Sequence, residues 1–165
     1  MKETTKEKQC KQSALQCAVG LLTRREHSEI ELKEKLIQRE YLQADIDIAI
    51  GKMLEQKYLS DERFASSLCR YQVKRGYGWY YIANELKEKG VCATIIQKLR
   101  ESCEIDWYLQ AELAYNKRFG IKSINADSDD EVLDKKIAQK EQAKKIRFLQ
   151  CRGFSSDEIF AVIAH

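Results

Sequence analysis

The chain has 165 residues, 44% of them hydrophobic and 33% charged, with 29 Lys and Arg against 26 Asp and Glu for a net charge of +3. That length suits one domain or a short row of small modules, and the mild positive balance excludes a histone-like polycation. With no proline and only seven glycines, there is little of the turn material a β-rich fold needs, so the composition points to an all-α protein. No run reaches about 18 consecutive apolar residues, so no membrane-spanning helix is expected. The lysines of Met1–Lys8 have no apolar stretch behind them, so no secretory signal is expected either. Six cysteines (Cys10, Cys17, Cys69, Cys92, Cys103 and Cys151) lie far apart with no C-x-x-C pair. They read as reduced packing residues of a cytoplasmic protein.

Taken in chain order, helices are predicted near 9–23, 28–40, 45–57, 61–75, 79–89, 93–103, 106–118, 131–152 and 156–164. Ser28-Glu29-Ile30-Glu31 has the capping-box form, followed by Ile30, Leu32, Leu36 and Ile37 as an apolar face. Ser60-Asp61-Glu62 opens another helix, its acids at the positive dipole end. Phe64, Leu68 and Tyr71 are that helix's expected inward line. Ser155-Ser156-Asp157-Glu158 repeats the box ahead of Ile159, Val162 and Ile163.

An internal repeat organises these helices. Leu36, Leu86 and Leu149 are each followed at +5 by Tyr41, Val91 or Phe154, and at +10 by Ile46, Ile96 or Ile159. Lys89-Gly90 and Arg152-Gly153 occupy +3 and +4, whereas the first copy has Arg39-Glu40. This is the spacing of a helix closed by a left-handed glycine, after which the next residue touches the side chain at C3. The basic residue ahead of the glycine faces the negative helix end. The unit is helix, tight turn, helix, completed by a preceding helix. Three such modules are expected at 9–57, 61–103 and 106–164. The last contains a polar insertion at about 121–142, read as a solvated loop or an extended arm of the following helix. Modules of this size gain stability by stacking on neighbours.

Catalytic constellations are poor. His27 precedes a capping serine, His165 ends the chain, no Cys/His spacing fits zinc, and Gly76-Tyr77-Gly78 lacks the third glycine of a nucleotide-binding loop. No enzyme activity, metal or cofactor is expected. What stands out is Arg70 to Tyr81, where cations and aromatics share a helix end and turn. Residues 70–100 carry seven Lys and Arg against Glu85 and Glu88, a balance of +5, so the middle module is the basic one. Cations neutralise phosphates and aromatic rings stack on unpaired bases. The plain alternative is solvated charge around a core aromatic, with Tyr80 or Tyr81 inward.

Several ordered segments resemble the RecX regulatory proteins of bacteria: His27–Leu32, Tyr58–Ala65, Lys74-Arg75-Gly76-Tyr77-Gly78 through Ile82, Glu85-Leu86, Lys89-Gly90-Val91, Arg147-Phe148-Leu149 and Arg152-Gly153-Phe154. The resemblance runs from about residue 14 to 163. It implies an elongated, curved array of three tandem three-helix repeats. It also implies binding to the RecA filament on DNA, in or along its helical groove. There such a protein inhibits the ATPase, strand-exchange and co-protease activities that serve recombination, repair and the SOS response. Trp79 stands where members of that family often carry proline, and 121–142 looks longer than usual. From charge and position, the residues nominated for filament or DNA contact are Arg24, Arg25, Arg70, Lys74, Arg75, Tyr77, Trp79, Lys87 and Lys89. A monomer is expected, since a row of modules needs no second copy. Direct contact with DNA is left open. The alternatives are an independent nucleic-acid-binding helical-repeat protein and a helical adaptor for another partner.

Overall fold

The computed structural model describes the backbone of residues 12–120 and 131–164, and the side chains of 12–120 and 138–164. Helices are α1 (Ala14–Leu22), α2 (Glu29–Ile37), α3 (Gln43–Glu55), α4 (Asp61–Lys74), α5 (Trp79–Glu88), α6 (Ala93–Ser102), α7 (Trp107–Phe119), α8 (Glu131–Cys151) and α9 (Ser156–Ile163). Among the described residues there is no strand, and no helix is long and apolar enough to cross a membrane. The fold is all-α, as composition requires.

Local chemistry sets the helix starts. Ser13 accepts a hydrogen bond from the Gln16 N–H while the Gln16 side chain accepts one from the Ser13 N–H. This reciprocal cap starts α1 at Ala14, later than the expected 9; residues 9–11, with Cys10, lie outside the described residues, as does His165. Ser155 and Glu158 form the same reciprocal box on α9. Asp106 caps α7 by accepting from the Leu109 N–H. Each cap satisfies backbone donors that the first helical turn leaves open, worth about 1 kcal/mol.

The ends of α2, α3, α4, α5 and α8 share one device. At Glu40, Lys57, Gly76, Gly90 and Gly153 the backbone turns left-handed, with φ between 58° and 81°. In each case the next N–H donates to the carbonyl five residues back: Tyr41 to Leu36, Tyr58 to Met53, Tyr77 to Gln72, Val91 to Leu86 and Phe154 to Leu149. These are Schellman closures. The three turns anticipated from the leucine repeat are present, and two more close α3 and α4. Leu36, Leu86 and Leu149 are all fully buried, and Ile46, Ile96 and Ile159 are buried opposite them. Glu40 shows that the first copy makes the turn without glycine.

The described chain divides into two compact units, Met1–Phe64 and Ala65–His165. In the first, α1, α2 and α3 pack on one another around Leu21, Leu32, Leu36, Ile46, Ile50 and Met53. Asp61 accepts from the Glu29 N–H at 2.9 Å, so an acid at the start of α4 also satisfies the start of α2. In the second, α5 packs on α6, and α7, α8 and α9 pack together around Ala111, Ala114, Leu149, Phe154 and Ile159. The segment 131–151 is the extended arm of a helix rather than a loop, exposed throughout 138–144. Residues 121–130 of the expected insertion lie outside the described residues.

Some expected faces are rotated. Ile30 and Ile37 are 45% and 54% exposed, while Leu32 and Leu36 are buried. At 3.6 residues per turn the two leucines lie about 40° apart, and the isoleucines fall about 100° or more from them. On α4 the buried positions are Phe64, Ala65, Cys69 and Gln72, and Tyr71 is 57% exposed. Gln72 is held inward by donating from Nε2 to the Glu85 carboxylate. The described cysteines are free thiols. Cys69 is buried, but Cys92 and Cys151 are exposed rather than packed. Burial, helped by nearby Cys103, pushes the Cys69 thiol up to about 11, so it is inert at neutral pH.

Behind Ser28 sits a charged cluster in which His27 and Glu31 are buried and Arg25 is exposed. Arg25 reaches Glu31 with two N–H···O bonds at 2.9 and 2.7 Å, and the His27 Nδ1 lies 2.8 Å from Oε2, the oxygen that also accepts from Arg25 Nη1. Burial raises the Glu31 pKa, but the Arg25 and His27 contacts outweigh it and hold the carboxyl at about 2. Burial lowers the His27 pKa, with the Glu31 contact only partly opposing it. His27 is therefore neutral at pH 7, with Nδ1–H donating to the carboxylate.

A Cβ on Gly153 would overlap the Tyr81 backbone N, so Gly153→Ala is expected to cost about 2–4 kcal/mol through left-handed strain and overpacking. Lys57→Gly, relieving strain at an exposed turn, is expected to stabilise by about 0.5–1 kcal/mol. Urea unfolding followed by far-UV circular dichroism checks both signs. For the charged cluster, both folded pKa values lie below their ordinary values of 6.5 for His27 and 4.5 for Glu31. Each group thus adds stability above its unfolded pKa and loses it as pH falls. The melting temperature should decline first below pH 6.5, as His27 is forced to charge, and again from 4.5 towards 2 as Glu31 protonates. Glu31→Gln should lower it at pH 7 and flatten the acid branch; parallel wild-type and variant curves would contradict this assignment.

Candidate functional site

The basic, aromatic segment forms the end of α4, the following turn and the start of α5. Gly76 takes the left-handed position, Gly78 is the N-cap of α5 and Trp79 is its first residue. That first position favours proline because its N–H has no helical acceptor. Here Trp79 fills it and packs edge-on against Trp107, with ring centroids 5.9 Å apart. The Arg100 guanidinium lies 5.0 Å from the Trp79 ring and 5.2 Å from that of Trp107.

This turn docks on the one that closes α8. The Gly78 N–H donates to the Arg152 carbonyl at 2.7 Å, and the Tyr80 N–H to the Gly153 carbonyl at 3.0 Å. A Cβ on Gly78 would overlap the Gly153 carbonyl, so glycine is required for the close approach. Arg152 completes the junction, its Nη1 donating to the Arg75 carbonyl at 2.8 Å and the Gly76 carbonyl at 3.0 Å. Orphan carbonyls at the end of α4 are thus satisfied by a charge 76 residues away.

The aromatics are largely engaged inside the protein. Tyr77 stacks on Tyr81, with centroids 4.0 Å apart and planes 18° from parallel. Arg75 and Arg152 lie 5.3 and 5.0 Å from the Tyr77 ring centroid. Arg75 also covers Tyr71, and Arg152 covers Phe148, which meets Phe119 edge-on. Cations and rings alternate from α4 across to α8, each such contact worth about 0.5–1 kcal/mol or more where water is excluded. Burial pushes the Tyr81 phenol up, and nearby Glu85 and Tyr77 add to this. Tyr80, expected as a candidate core residue, is 64% exposed.

The nominated residues separate accordingly. Arg70, Lys74, Arg75 and Lys87 are exposed, while Tyr77, Trp79 and Lys89 are half-buried. Arg70 makes a 3.5 Å contact with the Ser67 hydroxyl, and neither it nor Lys74 pairs with a carboxylate among the described residues. Arg24 and Arg25 belong to the first unit, where Arg25 is bound to Glu31 and Arg24 is exposed. Arg152 and Arg100 were not among the nominated residues. The signal for Arg152 was present in the basic-glycine pair of the repeat, where helix-dipole compensation accounts for the charge. An open cleft of about 480 Å³ beside Trp107 is lined by Arg100 but also by Asp106, Asp157 and Glu158, so it does not extend the basic surface. Among the described residues no His, Cys, Asp and Glu cluster could hold a metal ion.

Comparison with known proteins agrees with this architecture. The family model for the first three-helix domain of RecX matches residues 14–53, and that for the second matches 60–99. A regulatory protein RecX from Vibrio parahaemolyticus is 40% identical over 147 residues, which is 89% of this chain and 87% of that protein. One from Halorhodospira halophila is 34% identical, covering 89% of this chain and 84% of its own. In fold the chain is similar to the crystal structure of RecX from Lactobacillus salivarius, with a TM-score of 0.67, 19% identity and 92% of each chain covered. Local turn chemistry, the leucine repeat and these relatives converge: the chain belongs to the RecX family of regulatory proteins.

Proposed function

We propose that this chain is a non-catalytic, monomeric, cytoplasmic regulator that binds the RecA nucleoprotein filament and inhibits its ATPase, strand-exchange and co-protease activities. Family membership carries the reading. It is supported by the exposed cations Arg70, Lys74 and Lys87. Three-helix modules at 9–57, 61–103 and 106–164 would each offer a small contact surface to neighbouring subunits in the filament groove. The mutual packing of α7, α8 and α9 supports the third. Weak contacts on one tethered chain multiply through effective concentration. Cations add long-range attraction to DNA phosphates and acidic protein surfaces. Inhibition then follows from preferring one filament state over another.

The test is whether the purified chain slows ATP hydrolysis by a pre-formed RecA filament on DNA. Slowing is expected at sub-stoichiometric to stoichiometric amounts. The double reversal Arg70→Glu with Lys74→Glu should weaken it at least about tenfold at moderate salt, since like charges then face the phosphates. Unchanged inhibition by that variant removes this face as the contact. Tight, steeply salt-dependent binding to naked DNA with no effect on the filament points instead to the independent nucleic-acid-binding reading.

A further inference from the structure

We propose that Arg75 and Arg152 form a two-guanidinium clamp that grips one phosphodiester group of a nucleic-acid strand. The proposal rests on the reading that this basic face meets a nucleoprotein filament, and it names the atoms that hold the DNA backbone there. Tyr77 organises the pair. Tyr81 stacks on its ring at 4.0 Å, and the two guanidinium groups lie 5.3 and 5.0 Å from the same ring's centroid. Arg152 is oriented by Nη1 bonds to the Arg75 and Gly76 carbonyls and by the Phe148 ring at 4.8 Å. Arg75 makes one long contact, 3.4 Å from Nη1 to the Gln72 Oε1. The other N–H groups of both arginines have no acceptor among the described residues. Neither arginine pairs with a carboxylate there; neighbouring Glu85 accepts from Gln72 instead.

Two like charges drawn to one ring repel each other, and an oxyanion between them removes that repulsion. The N–H groups beyond the two Nη1 atoms leave donors for an anion, and a guanidinium presents them in the fork that matches phosphate oxygens. A nucleic acid fits better than a single acidic side chain because the cationic row continues. Arg70 and Lys74 lie one helical turn apart on the same helix, both exposed. Tyr71, 57% exposed beside Arg75, offers a ring on which a base can stack.

The experiment measures binding of the full chain to an oligothymidylate of about 20 nucleotides by fluorescence anisotropy, between about 50 and 200 mM salt. Arg75→Met and Arg152→Met are each expected to weaken binding about five- to tenfold while keeping the slope of log K against log salt, because the remaining guanidinium still neutralises the phosphate. The double variant should lose about 0.7 in slope, the value for one single-strand phosphate, because both side chains hold the same group. Arg152→Lys, which keeps the charge but not the fork, should retain the slope and lose affinity. Arg75 makes no backbone bond with its side chain, so Arg75→Met keeps the test open if Arg152→Met fails to fold. Unchanged affinity in Arg75→Met overturns the clamp, and so does an additive slope loss of about 1.4 in the double variant, which means two separate phosphates. Unchanged oligothymidylate binding together with lost slowing of filament ATP hydrolysis assigns the arginines to an acidic protein surface and also overturns it. Wild-type binding through these arginines with no effect on the filament sustains the clamp and removes the proposed function instead.

Discussion

The left-handed residue after a helix is the constraint from which most of this structure follows. This chain, without proline, ends α2, α3, α4, α5 and α8 by reversing φ at one residue and returning the next N–H to the carbonyl five back. That hydrogen bond places an apolar residue against C3 of the helix just ended. It aims the following helix so that its first inward isoleucine meets the same core. Where the reversing residue is glycine the strain is absent; at Glu40 and Lys57 the fold carries it. Such a cost, about 1 kcal/mol, is small beside the burial of Leu36 and Met53, the residues whose carbonyls accept the closing bonds.

The same device assembles the second unit. The turn after α4 and the turn after α8 meet backbone to backbone, which only Gly78 and Gly153 permit. A turn that closes one helix is thereby the surface on which another docks. Arg152 converts the carbonyls at the end of α4 from an unsatisfied edge into a charge-assisted anchor. The cost of taking a guanidinium partly out of water is offset by two carbonyl bonds and two aromatic faces. A segment that reads as free cations and free rings is therefore a connected stack, in which the rings are engaged and only Nη1 of each of Arg75 and Arg152 has an acceptor among the described residues.

Charge on this molecule divides by partner rather than by number. Arg25, Arg63 and Lys33 have carboxylates within salt-bridge distance, and Arg100 is held between two indoles. Arg70, Lys74, Arg75 and Arg152 have no such carboxylate among the described residues. A net charge of +3 conceals this separation. The Arg25–Glu31–His27 cluster, with its carboxylate and imidazole buried, shows the opposite regime, where burial and pairing fix the ionisation state and tie it to the integrity of the first unit.

What the sequence by itself determined is the all-α class, the capped helix starts at Ser28 and Ser155, and the leucine–turn–isoleucine repeat. These rest on interactions within about ten residues, and their spacing is written along the chain. The rotation of α2 and α4 was decided by tertiary structure, because Leu32, Leu36 and Gln72 turn inward only where particular neighbours, such as Glu85 for Gln72, accept them. The role of Arg152 was decided there too. Its carbonyl acceptors lie 76 and 77 residues away, and no spacing along the chain encodes which of several basic-glycine turns will meet another. Local hydrogen bonds leave a signature in the sequence, whereas a junction between turns exists only once the helices around it have packed.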